Sequence, residues 1–147
     1  MELQNARLRQ AVREDVDGIM RVRFAVKENR LTSQEIPPEA VIEAIEVTGR
    51  GWVIEKAGEI VAFAVGNART GNIWALFVDP DHEGRGHGRR LHEQMVNWLF
   101  SQGLERLWLT TEAGTRAQGF YAAAGWSETA VQPNGEVLFE RFRDGKG

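Results

Sequence analysis

Residues 77–91 read FVDPDHEGRGHGRRL, and the fold follows from this stretch. An apolar run ends at Pro80. Glycines at 84, 86 and 88 alternate through the next segment, and an amphipathic helix with basic residues at its start takes over. Glycines let the backbone turn tightly and bring bare N–H groups close to a ligand. Those N–H groups, at the positive end of a helix dipole, suit phosphate oxygens. Arg85, Arg89 and Arg90 add cations at the same corner. The strand–loop–helix unit therefore predicts a site for a phosphorylated ligand, most simply a pyrophosphate.

Working outward from it, the chain alternates between periods of two and 3.6 residues. Arg7–Val12 reads as a strand, and Val16, Ile19, Met20 and Val26 as a helical stripe. A second helix starts near Pro38, carries Val41, Ile42 and Ile45 on its apolar face, and stops at Gly49. Trp52–Glu55 and Ile60–Asn67 form a hairpin about Ala57-Gly58. Ile73–Val78 is a third consecutive strand, ahead of the glycine loop. Leu91, Met95, Trp98 and Leu99 share one face of the following helix, which ends near Gly103. A strand at Arg106–Thr110, a short helix at Thr115–Ala124, and strands at Ser127–Val131 and Val137–Phe142 complete the chain. The order β-α-α-β-β-β-α-β-α-β-β predicts an α/β (α+β) fold. It has one domain over residues 1–147, with a loose tail at 143–147, and a mixed, mostly antiparallel central sheet with helices on both faces.

The loop spacing excludes two common phosphate binders. A dinucleotide fingerprint needs G-x-G-x-x-G, and here the spacing is G-x-G-x-G. A Walker loop needs Lys then Ser or Thr after its last glycine, where Arg89-Arg90 stand. Glu83-Gly84-Arg85-Gly86-His87-Gly88 instead resembles the Q/R-x-x-G-x-G/A loop of the GNAT superfamily of acyl-CoA-dependent N-acyltransferases. Gly86 and Gly88 match, and Glu83 replaces Gln or Arg. A carboxylate beside phosphates is repulsive, so Glu83 is expected to point away or pair with an arginine. Downstream, TRAQGFYAAAGW at 115–126 is similar to that family's N-x-x-A-x-x-x-Y-x-x-x-G-F segment. Ala117, Tyr121 and Gly125 fit, Trp126 replaces Phe, and Gly114 takes the Asn position.

The resemblance implies a fold in which the strand before the loop and the strand after its helix splay apart, with the pantetheine arm of acetyl-CoA in the gap. Leu76, Phe77 and Val78 would line that arm. Glu83, Gly84, Arg85, Gly86, His87, Gly88 and Arg89 would surround the pyrophosphate, and Tyr121 would lie near the sulfur. The implied reaction moves an acetyl group to a primary amine on a small molecule or peptide. The resemblance leaves a homodimer open. A non-catalytic acyl-CoA-binding sensor or partner subunit with the same fold is the alternative.

Composition sets further bounds. A chain of 147 residues with 42% hydrophobic content suits one soluble domain that buries roughly 68–70% of its unfolded surface. No apolar run reaches the ~20 residues of a membrane span, and MELQNARLRQ lacks the apolar core of a signal peptide. A cytoplasmic protein is expected, with no membrane and no nucleic-acid partner, the latter because the net charge is −3. With no cysteine there is no thiol nucleophile, so attack would be direct.

Tyr121, the only tyrosine, is the candidate acid. A phenol near pKa ~10 can donate to a departing thiolate whose thiol has a pKa near ~8.5. The resemblance implies a Glu base on the strand before the loop, but Ile73–Val78 carries no carboxylate; the candidate base is Glu112, with Glu28 and Glu35 near the substrate side. By the resemblance, Arg23, Arg30 and Glu35 are candidate acceptor contacts, and Trp74, on the central strand, is a further one. His82, His87 and His92 recur every fifth residue, which rotates them off one helix face and argues against a metal site. His87 reads as a loop residue near phosphates.

Overall fold

The computed structural model describes residues 6–26 and 37–143. Glu28, Arg30 and Glu35, and most of the polar segment between the first two helices, lie outside the described residues. The elements are β1 (Arg7–Gln10), α1 (Val16–Ala25), α2 (Pro38–Glu43), β2 (Gly49–Lys56), β3 (Glu59–Asn67), β4 (Ile73–Val78), α3 (His87–Ser101), β5 (Arg106–Glu112), α4 (Arg116–Ala123), β6 (Ser127–Val131) and β7 (Glu136–Phe142). The order is the one expected. Boundaries moved by a few residues at most, except at α2. There a π-type turn over Ala44–Thr48 carries the chain into β2, and Gly49 starts a strand instead of ending a helix.

Strands β1-β2-β3-β4 form an antiparallel sheet, and β5-β7-β6 form a second one. The β2–β3 turn uses Ala57 at φ 53° and Gly58 at φ 81°, the pair of left-handed residues a two-residue hairpin requires. Two apolar clusters cover opposite faces. Leu91, Met95 and Leu99 of α3 pack with Ile54, Ala62, Leu107, Tyr121 and Phe139. Ile19 and Val22 of α1 and Val41 of α2 pack with Val53, Phe63 and Val65. β3 is buried on both faces from Ile60 to Gly66, as befits a strand between two helical layers.

The strands β4 and β5 run parallel and touch only at their base. Asn72 and Trp108 form a single parallel bridge. The Trp108 amide donates to the Gly71 carbonyl at 3.0 Å, and Asn72 Nδ2 donates to the Trp108 carbonyl at 3.3 Å. Beyond that point no ladder joins them among the described residues, so the strands part as a V. Gly71 sits at its vertex. Its φ is +81°, and a Cβ there would overlap the Arg106 carbonyl oxygen. On the other side of β4, Val65 pairs with Ala75 but Gly66 with Ile73. Trp74 is thus the extra residue of a β-bulge, which bends the strand. Arg143, read from sequence as the start of a loose tail, is anchored: its guanidinium donates to the Phe100 carbonyl at 2.8 Å.

Candidate active site

The open side of the V leads to the glycine loop. Asp79 follows β4; its carboxylate accepts from the Asp81 amide at 2.9 Å and fixes the turn Pro80–His82. Gly84 and Gly86 then take φ of 77° and 85°, values that L side chains rarely adopt. Gly86 is the N-cap of α3 and provides no side-chain cap, and no acidic residue stands in the first turn. The first N–H groups of α3 therefore lack intrahelical acceptors and lack a capping oxygen. Successive N–H groups in such a turn form an anion-binding concavity. Arg85, Arg89 and Arg90 are exposed around it.

Gly88 lies one residue inside the helix. A Cβ there would stand 3.7 Å from both Val78 of β4 and Phe120 of α4, an ordinary contact. Gly88 thus faces the gap between β4 and α4, and its missing side chain keeps that gap open. Leu76, Phe77 and Val78 are half-buried on the strand edge that β5 leaves unpaired. Glu83 pairs with Arg116 at 2.6 Å, which draws its charge toward α4.

His87 departs from its sequence reading. It is the first residue of α3, and its ring is 5% exposed, with neither nitrogen hydrogen-bonded. Burial, then the charges of Arg90, His82 and Arg85, hold its pKa below the usual imidazole value. Only its backbone belongs to the loop. Among the described residues no cluster of three His, Cys, Asp or Glu side chains could hold a metal.

Tyr121 stands on α4 and is 6% exposed. It packs edge-on to Phe120 and Trp126, with ring centroids 5.1 and 5.5 Å away. Burial pushes its phenol pKa up, so the hydroxyl keeps its proton. Glu112 ends β5 with its carboxylate exposed, on the face opposite the buried Leu107 and Leu109; its carbonyl accepts from the Thr115 hydroxyl at 2.7 Å. That hydroxyl is also the N-cap of α4, accepting from the Gln118 amide. The sequence motif placed Tyr121 and the glycine loop on facing elements, α4 and α3. It did not reveal His92, wholly buried between them, which accepts from the Trp126 indole N–H at 2.9 Å.

The Acetyltransferase (GNAT) family profile matches residues 10–126, which takes in the loop, the V and α4. The chain belongs to the GNAT acetyltransferase family. GNAT relatives include mycothiol acetyltransferase of Beutenbergia cavernae, 34% identical over 86 residues, covering 54% of this chain and 29% of that protein. The [ribosomal protein bS18]-alanine N-acetyltransferase of Escherichia coli K12 is 30% identical over 80 residues, covering 52% and 54%. The matches thus span 29% and 54% of those relatives' lengths. Among solved structures, PaiA N-acetyltransferase from Thermoplasma acidophilum in complex with coenzyme A superposes with a TM-score of 0.81 at 12% identity, over 95% of this chain and 100% of that one. The Escherichia coli ribosomal-protein-S18-alanine N-acetyltransferase gives 0.75 at 17% identity, over 92% of each. At such identities the likeness shows the GNAT fold.

A cavity lies on the face of β4 that α1 and α2 cover. It measures about 100 Å³ and is lined by Ile19, Arg23, Val41, Phe63, Trp74, Ala75 and Phe77. It holds Arg23 and Trp74, two of the acceptor candidates, together at the bulge.

Proposed function

We propose that this protein is a cytoplasmic acetyl-CoA-dependent N-acetyltransferase that moves an acetyl group to a primary amine by direct attack in a ternary complex. The observation that carries this reading is the uncapped, glycine-lined N-terminus of α3, opening onto the unpaired edge of β4. The fit to acetyl-CoA rests on the same features: free amides and arginines for the pyrophosphate, and a gap held open at Gly88 for the arm. Acetyl-CoA supplies the activated acyl group, and the protein's own groups do the rest. Backbone amides of Ile73–Val78 along the open edge of β4 polarise the carbonyl. As the amine nitrogen bonds to the carbonyl carbon and the carbon–sulfur bond breaks, Tyr121 donates to the departing sulfur. Glu112, exposed at the mouth of the V, takes the amine's proton through water. The relative named for N-acetylation of ribosomal-protein alanine supports an amine acceptor.

Calorimetry and turnover test the reading together. A Gly88→Val variant places its branch in the gap between Val78 and Phe120, so it should fold and yet bind acetyl-CoA at least ~10-fold more weakly. Unchanged affinity in the folded variant would remove the loop from the site. Thioester cleavage against a panel of amines separates an enzyme from an acyl-CoA-binding module: CoA release that never depends on any amine would leave the binding module as the better reading.

A further inference from the structure

The small cavity at the β4 bulge has an unusual lining. Ile19, Val41 and Phe63 are each about 1% exposed and are its most deeply buried lining residues. Phe63 and Phe77 pack at 5.6 Å between ring centroids and form one wall. Ile19 and Arg23 stand four residues apart on α1, one helical turn on the same face, and form the other. Trp74, displaced by the bulge, and Ala75 close the strand side. Six of the seven lining residues are apolar, and the seventh is a guanidinium, half-buried at the rim.

We infer that the acceptor amine carries a branched aliphatic group of three to four carbons, seated in this cavity, and a carboxylate that pairs with Arg23. The inference rests on the N-acetyltransferase reading, because the cavity abuts the β4 residues expected to run beside the acyl arm. Size sets the first half. At ~30 Å³ for a water-sized group, 100 Å³ admits roughly three to four non-hydrogen atoms, which suits a valine or leucine side chain. Charge sets the second half. A guanidinium has five donors, no acceptor and a permanent charge, and its fork matches a carboxylate. Beside apolar walls the pair is less screened than on an open surface. The same cation disfavours an ammonium in the cavity, so the amine would lie outside it, past Trp74 toward the V. The carboxylate could be the acceptor's own, as in a free amino acid, or that of an acidic residue following an aliphatic N-terminal residue in a peptide.

The test measures binding of acetylated products, which lack a titrating amine. Calorimetry would compare N-acetylleucine, N-acetylleucinamide, N-acetylglycine and N-acetyl-Leu-Asp-amide, each with and without CoA. N-acetylleucine or the Leu-Asp peptide should bind at least ~10-fold more tightly than N-acetylleucinamide, the usual worth of a hydrogen-bonded charge. N-acetylglycine should bind ~10-fold or more below N-acetylleucine, since lost methylenes cost this much in an apolar pocket. Whichever carboxylate binds tighter identifies its source. In Arg23→Gln the acid-to-amide ratio should fall toward one, while the leucine-to-glycine ratio persists. Equal affinity for acid and amide, a ratio that survives in Arg23→Gln, or no binding of either carboxylate ligand would overturn the inference. Failure to bind CoA would overturn the enzymatic reading instead, and the product affinities measured without CoA keep the two failures apart.

Discussion

At the scale of single residues, two buried side chains carry opposite kinds of information. Tyr121 is both a core aromatic and the proposed proton donor, and kinetics separates the roles. Tyr121→Phe removes one oxygen and keeps the ring packing on Phe120 and Trp126. We expect kcat to fall ~10²-fold or more, with acetyl-CoA affinity and Tm nearly unchanged. Because burial raises the phenol's pKa, any alkaline limb due to its ionisation belongs above pH ~10, higher than the bare sequence suggested. Near-native kcat in the Phe variant would take Tyr121 out of the mechanism.

His92 is the other case. An indole N–H only donates, so His92 Nε2 must accept from Trp126, and the ring is neutral with its proton on Nδ1. Burial, then Arg141, lower its pKa against the opposing pull of Glu93. Above pH ~6.5 the ring is neutral in folded and unfolded chains alike, and its contribution to stability is complete. Below that, the unfolded chain takes up the proton first, and stability falls until the folded pKa is reached. Urea midpoints should therefore drop between pH 7 and pH 5, and His92→Leu should flatten that slope while lowering stability at pH 7 by ~1–3 kcal/mol, since the indole N–H loses its acceptor. An identical slope in the variant would show that other groups set the acid limb. Asp15 acts lower on the scale. Burial alone would raise its pKa, but hydrogen bonds from Arg9 and the Val12 amide hold it down, so its contribution is lost only as pH falls through the carboxylate range.

At the scale of elements, the V between β4 and β5 depends on a glycine that motif reading passes over. Gly71 combines a positive φ with a neighbouring carbonyl that leaves no room for Cβ. Gly103 has a comparable φ of +96° with open space around it. Gly71→Ala should therefore cost more than Gly103→Ala by over ~1 kcal/mol, or about 3 °C in Tm. The difference isolates the close approach at the vertex from backbone strain alone; equal losses would mean that the vertex relaxes freely. The hairpin and helix boundaries were readable because they follow local rules, as at Ala57-Gly58 and at Thr115, whose side chain caps α4. The π-type turn after α2 was not readable. Ala44–Thr48 is set by how Ile45 packs beneath Gly51, where a Cβ would approach Ile45 to 2.7 Å, and no sequence period encodes that.

At the scale of the whole molecule, the chain's local code was enough for the fold. Periods of two and 3.6, and alternating glycines before a basic helix, determined the element order, the two-faced sheet and the place of the glycine loop at the start of α3. These depend on backbone geometry and on side-chain direction along one element, which a sequence displays directly. Tertiary structure alone decided the rest: that His87 turns its ring inward, that Arg116 is the arginine with which Glu83 pairs, that His92 and Trp126 share a buried hydrogen bond, and that Arg23 meets Trp74 and Phe63 around one cavity. The last three join residues from different elements, up to 51 positions apart in the case of Arg23 and Trp74. Such pairings are fixed by how helices dock on a bent sheet and by which polar atoms that docking leaves to be satisfied, and both are properties of the assembled chain.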